Sequence, residues 1–209
     1  LSSFLLYTRY FIDMHKSGGG YMNNYNFYDN EKPSKAKIVK EVLLWVFQIV
    51  ITIAIAFVFV YFMGQKTTAV GQSMEPTVKA GKKVWINKFS YMLSTPKRGD
   101  VIVFKPNGNT NAYSSIKRVI GIPGDTIQIK DGVVYIDGEK YEEEWDNMTD
   151  AGIAEDEIKL DIEEYFVLGD NRNNSEDSRY ADVGIVKLGD IEGKAWLYNG
   201  KGFSFGRIK

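Results

Sequence analysis

The sequence predicts a mainly β protein, in which an antiparallel β-sheet domain follows a single N-terminal transmembrane helix. Two observations support this fold class. An apolar segment of 22 residues without a charge lies at positions 42–63, which is typical of a membrane span. After it the pattern changes to short apolar runs separated by turn residues, as expected for β-strands. We therefore divide the chain into a tail (1–41), a helix (42–63) and a β-rich domain (64–209).

The segment 42–63 is long enough to cross a bilayer as a helix. Its only clearly polar residues are Gln48 and Thr52. At 1.5 Å per residue the helix would measure about 33 Å, and the hydrocarbon core of a membrane is about 30 Å thick. A buried helix of a soluble protein is the alternative, but so long and uniform an apolar run does not suit the core of a small domain. A cleaved secretory signal usually has a shorter apolar part.

Charged residues at the two ends of this segment predict its orientation. Only Lys66 follows it closely, whereas four lysines precede it, at positions 32, 35, 37 and 40. Short loops rich in lysine and arginine stay in the cytoplasm. We therefore expect a single-pass protein of the cell membrane with its N-terminus in the cytoplasm and the chain after about Gln65 outside it.

The tail at residues 1–41 is polar and contains many Asn, Tyr and Gly residues. Such a composition predicts a disordered cytoplasmic segment, because too little apolar surface is available for a packed core. The chain starts with Leu1, so Met14 and Met22 are considered as alternative starts of translation.

The domain after residue 64 contains seven runs rich in Val, Ile and aromatic residues, which favour β-strands. These runs lie at residues 83–87, 100–104, 116–122, 126–129, 133–136, 165–168 and 194–198. Asp131-Gly132 predicts the turn of a hairpin, and Asp137-Gly138 predicts another turn. The acidic stretch at 141–164 is expected to be a solvated excursion with a short helix near 154–159.

Composition excludes several kinds of chemistry. With 26 basic and 27 acidic residues, the chain lacks the basic surplus that binds nucleic acid. It contains no cysteine, and its one histidine is His15 in the tail. Disulfides, cysteine nucleophiles, a histidine-based triad and a multi-histidine zinc site are therefore excluded from the domain, and we expect neither a metal nor another cofactor. Hydrolytic chemistry would have to use Ser, Thr, Lys, Asp, Glu or Tyr.

Three short segments contain the residues that could carry such chemistry. Ser73 lies directly beyond the predicted membrane exit, and taken alone it is typical of a turn. Lys117 shares a strand face with Val119 inside an apolar run. Burial of its ammonium there is costly, unless the aliphatic part of the side chain packs and the ammonium extends into water. The third segment, 169–180, is dense in hydroxyl, amide and charged groups, and alone it would indicate only a hydrophilic loop.

Together these segments resemble the type I signal peptidases, the membrane-bound serine–lysine enzymes that remove signal peptides from exported proteins. The family's nucleophile box, Ser-Met-x-Pro-Thr, matches residues 73–77. Its base box, Lys-Arg-Val-Ile-Gly-Leu-Pro-Gly-Asp, matches residues 117–125, and its third box, Gly-Asp-Asn-Arg-Asp-Asn-Ser-x-Asp-Ser-Arg, matches residues 169–179. The order and spacing of the boxes agree with the family.

The resemblance runs from about residue 36 to the C-terminus and includes the family strand Arg-Gly-Asp-Val-Ile-Val-Phe at 98–104. Ile122 replaces Leu in the base box, and Asn173 replaces an acidic residue in the third box. The second change puts one local salt bridge in doubt and leaves the serine–lysine pair untouched. The short stretch between the base box and the third box is typical of the compact, Gram-positive-like form of the family.

The resemblance implies that Ser73 is the nucleophile and Lys117 the general base. A serine hydroxyl is weak until a base takes its proton, and a lysine can act as that base once apolar burial lowers its pKa. By the same resemblance Ser175 orients the lysine nitrogen through a hydrogen bond. Asp177 and Arg179 are implied to form an ion pair that holds the loop.

Substrate binding is also implied by the matching positions. Thr67, Ala69, Gly71 and Ile116 are expected to line pockets for small side chains of a peptide that adds to a strand edge, with ordinary strand packing as the alternative. The backbone N–H of Ser73 is one candidate donor to the oxyanion. Some family members place a serine hydroxyl at the position of Gly71, so the second donor stays open here.

The resemblance therefore predicts a membrane-bound serine endopeptidase whose catalytic domain lies outside the cytoplasm and removes signal peptides. The expected partners are the signal peptides of exported preproteins, the lipid bilayer and the secretion translocon, and no nucleic acid is expected. Two alternatives stay open: a serine–lysine peptidase with a narrow substrate, and a catalytically inactive membrane-tethered module that binds peptides. The presence of both Ser73 and Lys117 argues against the inactive module.

Overall fold

A computed structural model of the protein describes residues 34–200 and 205–208. The chain divides into two units, residues 1–48 and 49–209. The disordered tail predicted for residues 1–41 falls outside the described part up to position 33.

The segment predicted to span the membrane belongs to one long helix, α1 (Lys35–Met63). Its most apolar window has a mean hydropathy of 2.7, and none of that window is buried. By length and composition α1 is the one helix in the described part of the chain that could cross a membrane. The helix begins seven residues before the apolar segment at 42–63, so residues 35–41 are helical where a disordered segment was expected. Lysine and alanine in this stretch favour a helix, and charge does not stop one.

The rest of the described chain consists of twelve strands and four short helical segments. The strands are β1 (Lys66–Thr68), β2 (Lys83–Asn87), β3 (Val101–Phe104), β4 (Ser115–Gly121), β5 (Thr126–Lys130), β6 (Val133–Ile136), β7 (Glu139–Lys140), β8 (Ile158–Lys159), β9 (Glu164–Leu168), β10 (Val186–Lys187), β11 (Ile191–Asn199) and β12 (Phe205–Arg207). The short helices are α2 (Ser90–Leu93) and the 3₁₀ segments η1 (Pro106–Gly108), η2 (Gly152–Glu155) and η3 (Leu188–Asp190).

Two antiparallel sheets organise these strands, which confirms the predicted fold class. The larger sheet has the order β1-β2-β11-β3-β4-β9-β10, with β12 paired to β11. The smaller sheet has the order β7-β6-β5-β8. Each described strand pair is antiparallel.

All seven predicted strand runs coincide with strands, and the hairpin predicted at Asp131-Gly132 joins β5 to β6. Both hairpin residues have positive φ, 51° and 76°, as a two-residue turn of this kind requires. The strands without a sequence prediction are β1, β7, β8, β10 and β12, each of two or three residues. Such strands are too short to show an alternation of apolar and polar residues.

The acidic stretch at 141–164 differs from the solvated excursion that we expected. Met148, Ala154 and Leu160 are buried in the same apolar cluster as Ile127 of the small sheet. The short helix, η2, ends earlier than predicted. The expectation was wrong because widely spaced apolar residues bury one side of the stretch, although its charges dominate the composition.

Strand β4 is the element that fixes the base box in the core. It pairs with β3 on one side and β9 on the other. Its residues Ile116, Val119 and Ile120 belong to three different apolar clusters. Because both neighbours and several clusters hold this strand, the side chains that it carries have well-defined positions.

Candidate active site

Ser73 and Lys117 are in contact. Ser73 lies in the turn between β1 and β2, and Lys117 lies in β4, 44 residues along the chain. The Nζ of Lys117 donates a hydrogen bond of 2.7 Å to the Oγ of Ser73. This is the geometry of a hydroxyl nucleophile beside its base.

Apolar packing of the neighbouring residues explains why the two side chains meet. Met74, next to Ser73, and Ile116, next to Lys117, are buried in the same apolar cluster together with Ala69. Lys117 itself is only 5% exposed. Apolar packing therefore brings the strand and the turn together, and the contact between the two polar side chains follows from it.

Burial lowers the pKa of Lys117 to about 8, from an ordinary value of 10.5. The largest cause is the loss of hydration of the ammonium. The carboxylates of Asp177, Glu176 and Asp170 partly oppose this shift, whereas the guanidinium of Arg179 adds to it. A large fraction of the side chain is therefore the neutral amine in mildly alkaline solution, and only that form can accept a proton.

The third box, in the loop between β9 and β10, holds the backbone of the turn that contains Ser73. The backbone N–H of Asn171 donates to the carbonyl of Ser73 at 3.0 Å. The side-chain amides of Asn171 and Asn174 donate to the backbone and the side chain of Gln72, each at 3.3 Å. These contacts position Ser73 from the side of the third box.

Asp170 is a supporting residue to which the sequence analysis assigned no role. Its carboxylate accepts two hydrogen bonds of 2.7 Å from the guanidinium of Arg118 and one of 2.5 Å from the hydroxyl of Thr77. The side chain of Asp170 is fully buried. One carboxylate thus joins the nucleophile box, the base box and the third box. Successive side chains of β4 point to opposite faces, so Arg118 points away from Lys117. This pattern could have suggested that Arg118 has an acidic partner on the other face.

Ser175 does not form the hydrogen bond to Lys117 that the resemblance implies. Its hydroxyl oxygen is buried and has no hydrogen-bond partner among residues 34–200 and 205–208. The oxygen packs against Gly169, where it would contact a β-carbon added at that residue. Lys117 donates to Ser73 instead, which corrects this expectation.

The ion pair implied for Asp177 and Arg179 is present and buried. The guanidinium contacts the two carboxylate oxygens at 2.8 and 3.0 Å. Asp177 also accepts the backbone N–H of Gly169 at 3.0 Å, and Arg179 donates to the carbonyl of Arg172 at 2.6 Å. The pair therefore ties residues 177 and 179 of the loop to its start at Gly169 and Arg172.

Asn173, which replaces an acidic residue of the family pattern, uses both functions of its amide. Its oxygen accepts bonds from the backbone and the hydroxyl of Thr149, at 2.8 and 3.1 Å. Its nitrogen donates to the carbonyl of Asn147 at 3.1 Å. A carboxylate could accept but not donate here, so the amide suits these neighbours.

A cleft of about 710 Å³ opens at the dyad. Of the four residues predicted for the pockets, Ala69, Gly71 and Ile116 line it, whereas Thr67 is not among its lining residues. Gly71 takes a φ of 73°, a conformation that glycine adopts readily and other residues do not. A serine in this backbone conformation would be strained. In the described part of the chain, no cluster of three or more His, Cys, Asp or Glu residues could hold a metal ion.

Comparison with known proteins identifies similar chains. The family described as "Signal peptidase, peptidase S26" matches residues 42–198. The chain is 36% identical to signal peptidase I T of Bacillus subtilis over 174 residues, which cover 79% of this chain and 88% of that protein. It is 33% identical to signal peptidase IB of Staphylococcus aureus over 172 residues, covering 74% of this chain and 87% of that protein. The crystal structure of a signal peptidase I from Enterococcus faecalis matches with 33% identity and a TM-score of 0.41, covering 48% of this chain and 97% of that one.

Proposed function

This chain belongs to the signal peptidases of family S26 and is an enzyme of that type, and on this premise we propose that it cleaves with Ser73 as nucleophile and Lys117 as general base. The single observation that carries the proposal is the 2.7 Å contact between the two side chains. The lowered pKa of Lys117 supports it, because a neutral amine is needed to accept the serine proton.

The proposed reaction has two halves. In the first, the Oγ of Ser73 attacks the scissile carbonyl carbon while Lys117 takes the hydroxyl proton, and the resulting ammonium then protonates the leaving amine as the peptide bond breaks. In the second, Lys117 takes a proton from water, the hydroxide attacks the acyl-enzyme, and Ser73 leaves with that proton. The backbone N–H of Ser73 is the proposed donor to the oxyanion in both halves.

We propose that the substrates are the signal peptides of exported preproteins. The curated relatives are named signal peptidase I, and the cleft that contains the dyad is open to a peptide. Ala69, Gly71 and Ile116 line the cleft together with Ser73, and we propose that they form its pockets for small side chains. Thr67, which does not line the cleft, is left out of this proposal for the pockets.

The apolar helix α1 suggests a membrane anchor, and we propose that it crosses the membrane once. Lys35, Lys37 and Lys40 lie in its first turns, and Lys66 follows its C-terminal end. With the positive end in the cytoplasm, the β-rich domain faces the outside, where it meets preproteins that leave the secretion translocon. Protease added to intact cells should then digest the C-terminal domain; a protected domain would overturn this orientation.

The proposed function is tested by cleavage of a panel of unrelated signal-peptide substrates by the purified full chain. Cleavage at the end of several unrelated signal peptides is expected, and Ser73→Ala should abolish it. Cleavage of one substrate alone would favour a processing peptidase with a narrow substrate. Equal absence of cleavage by the wild type and Ser73→Ala would overturn the enzymatic proposal and favour a module that only binds peptides.

A further inference from the structure

The segment 143–150, which we name the brace segment, follows β7 and belongs to the acidic stretch of the small-sheet region. Several of its residues contact the base box, the third box, or the residue that follows the third box. The contacted residues are Arg118, Arg172, Asn173, Arg179 and Tyr180. The function proposed above gives this segment no role.

Glu143 forms the strongest of these contacts. Its two carboxylate oxygens accept bonds from both terminal nitrogens of Arg172, one of them at 2.6 Å. The side chain of Arg172 is 1% exposed and that of Glu143 is 14% exposed. The Nε of Arg172 donates to the carbonyl of Gly169 at 3.0 Å. Without Glu143 a buried guanidinium inside the third box would lack its counter-charge, which is costly in the interior of a protein.

Trp145 forms the second contact, with the base box. The guanidinium carbon of Arg118 lies 5.4 Å from the centre of the Trp145 ring, within the range of a cation–π interaction. The same guanidinium forms the two-point bond to Asp170. The indole therefore limits the movement of the arginine that joins the base box to the third box.

The C-terminal half of the brace segment contacts the far side of the same loop. Asn147 and Thr149 bond to Asn173. The carbonyl of Asp150 accepts a bond of 2.9 Å from Arg179, and its carboxylate accepts one of 3.1 Å from the hydroxyl of Tyr180. The loop is thus contacted along its length, from Arg172 to Tyr180.

The residues that the brace segment contacts are close to Ser73 and Lys117 on two sides. Asn171, next to Arg172, donates to the carbonyl of Ser73. On the other side Arg118 is the chain neighbour of Lys117. Arg172, which Glu143 contacts, is therefore one residue from Asn171, whose N–H bonds to Ser73. Arg118, which Trp145 contacts, is one residue from Lys117, the proposed base.

We propose that Glu143 and Trp145 are positioning residues, which act through Arg172 and Arg118 to hold Ser73 and Lys117 at reactive distance. The proposal rests on the proposed function, because it assigns a role in the same reaction. Neither residue lines the cleft, so substrate binding should not depend on them. A small displacement of a reacting group can lower a rate by about a hundredfold, which makes the effect measurable.

The test measures kcat and KM of the full chain in detergent with a signal-peptide substrate that has Ala at the first and third positions before the cut. Glu143→Gln and Trp145→Ala are expected to lower kcat by about tenfold to a hundredfold, with KM nearly unchanged. Glu144→Gln is the matched control, since Glu144 is the exposed neighbour of Glu143, and it should behave as the wild type. Trp145→Phe retains an aromatic face and should recover most of the rate.

Hydrogen–deuterium exchange provides a measurement that does not need turnover. In Glu143→Gln and Trp145→Ala the amides at 169–175 should exchange faster, while those of β2 and β11 exchange as in the wild type. Should Glu143→Gln fail to fold, Glu143→Asp and the Trp145 variants decide the matter. Unchanged kcat, equal damage by Trp145→Phe and Trp145→Ala, or faster exchange throughout the domain would overturn the proposal. A wild type that cleaves no signal peptide would instead refute the proposed function, and the exchange data would still test the brace segment.

Discussion

Arg118 and Asp170 form a two-point ion pair, with both nitrogen–oxygen distances at 2.7 Å, between the base box and the third box. Arg118 follows Lys117 in β4, and successive side chains of a strand point to opposite faces. One face of the strand therefore presents the base to Ser73, while the other face fixes the strand to the loop that holds the carbonyl of Ser73. The adjacency of Lys and Arg in the base box has a direct geometric reason.

Asp170→Asn should lower both stability and activity. The variant removes the buried carboxylate charge that two nitrogens of Arg118, which is 12% exposed, bind at 2.7 Å. Breaking a buried pair by removing one partner costs about 3–5 kcal/mol. Urea unfolding should show a loss of about 3 kcal/mol in the free energy of unfolding, and the cleavage assay a fall in kcat. Glu192→Gln, a substitution in β11 away from the boxes, is the control; equal stability of Asp170→Asn and the wild type would refute the role assigned to this carboxylate.

Lys117→Arg should abolish cleavage. The substitution keeps a positive charge near Ser73, but a guanidinium does not lose its proton in a protein and cannot serve as a base. The initial rate on a signal-peptide substrate is the measurement, and far-ultraviolet circular dichroism of the variant verifies that its fold is retained. Activity at the wild-type level would remove the lysine from the mechanism.

Cleavage should depend on pH through the protonation state of Lys117. Because burial lowers the pKa of this side chain to about 8, the fraction of neutral amine is small at pH 6, about half at pH 8, and nearly complete at pH 10. The kcat/KM value of the free enzyme should therefore rise about tenfold per pH unit below 8 and level off above it. A profile without slope from pH 6 to 10 would contradict a lysine base.

Much of the fold could be predicted because its signals are local. The apolar helix and the runs that became β2, β3 and β4 are visible in the order of residue types. The two-residue strand β8 could not be predicted, since it exists only through pairing with β5, about 30 residues earlier in the chain. Strand β7 pairs with its neighbour β6, but two residues are too few to show a strand pattern. The helical state of residues 35–41 was not predicted, because the boundary at 42 followed apolar content alone.

The candidate site shows the same division between local and long-range information. The sequence boxes were enough to identify Ser73 and Lys117 as candidates, and the two side chains are in contact in the structure. The role of Asp170 and the contact of Glu143 with Arg172 depend on partners 52 and 29 residues away, which no local pattern reveals. The role assigned to Ser175 required an orientation of its hydroxyl that only the folded loop determines.

The stability of the protein should also depend on the pKa of Lys117, in the direction opposite to that of a lysine whose pKa is raised by an ion pair. The pKa is about 8 in the folded state against 10.5 for the free side chain. Between these values the unfolded chain binds more protons than the folded one, so the free energy of unfolding rises with pH. Below pH 8 both states carry the proton, and the cost of burying the ammonium is present in full.

Lys117→Met removes this dependence, because it replaces the amine by a neutral side chain of similar length. The free energy of unfolding of the wild type minus that of Lys117→Met should increase by about 3 kcal/mol between pH 8 and 10.5. Subtraction of the variant cancels the titration of the tyrosines and the other lysines. Denaturant unfolding of both proteins at several pH values gives the difference directly. A difference that stays constant with pH would mean that the amine of Lys117 keeps its ordinary pKa and its hydration in the folded protein, and the neutral base at the centre of the mechanism would then lack its physical cause.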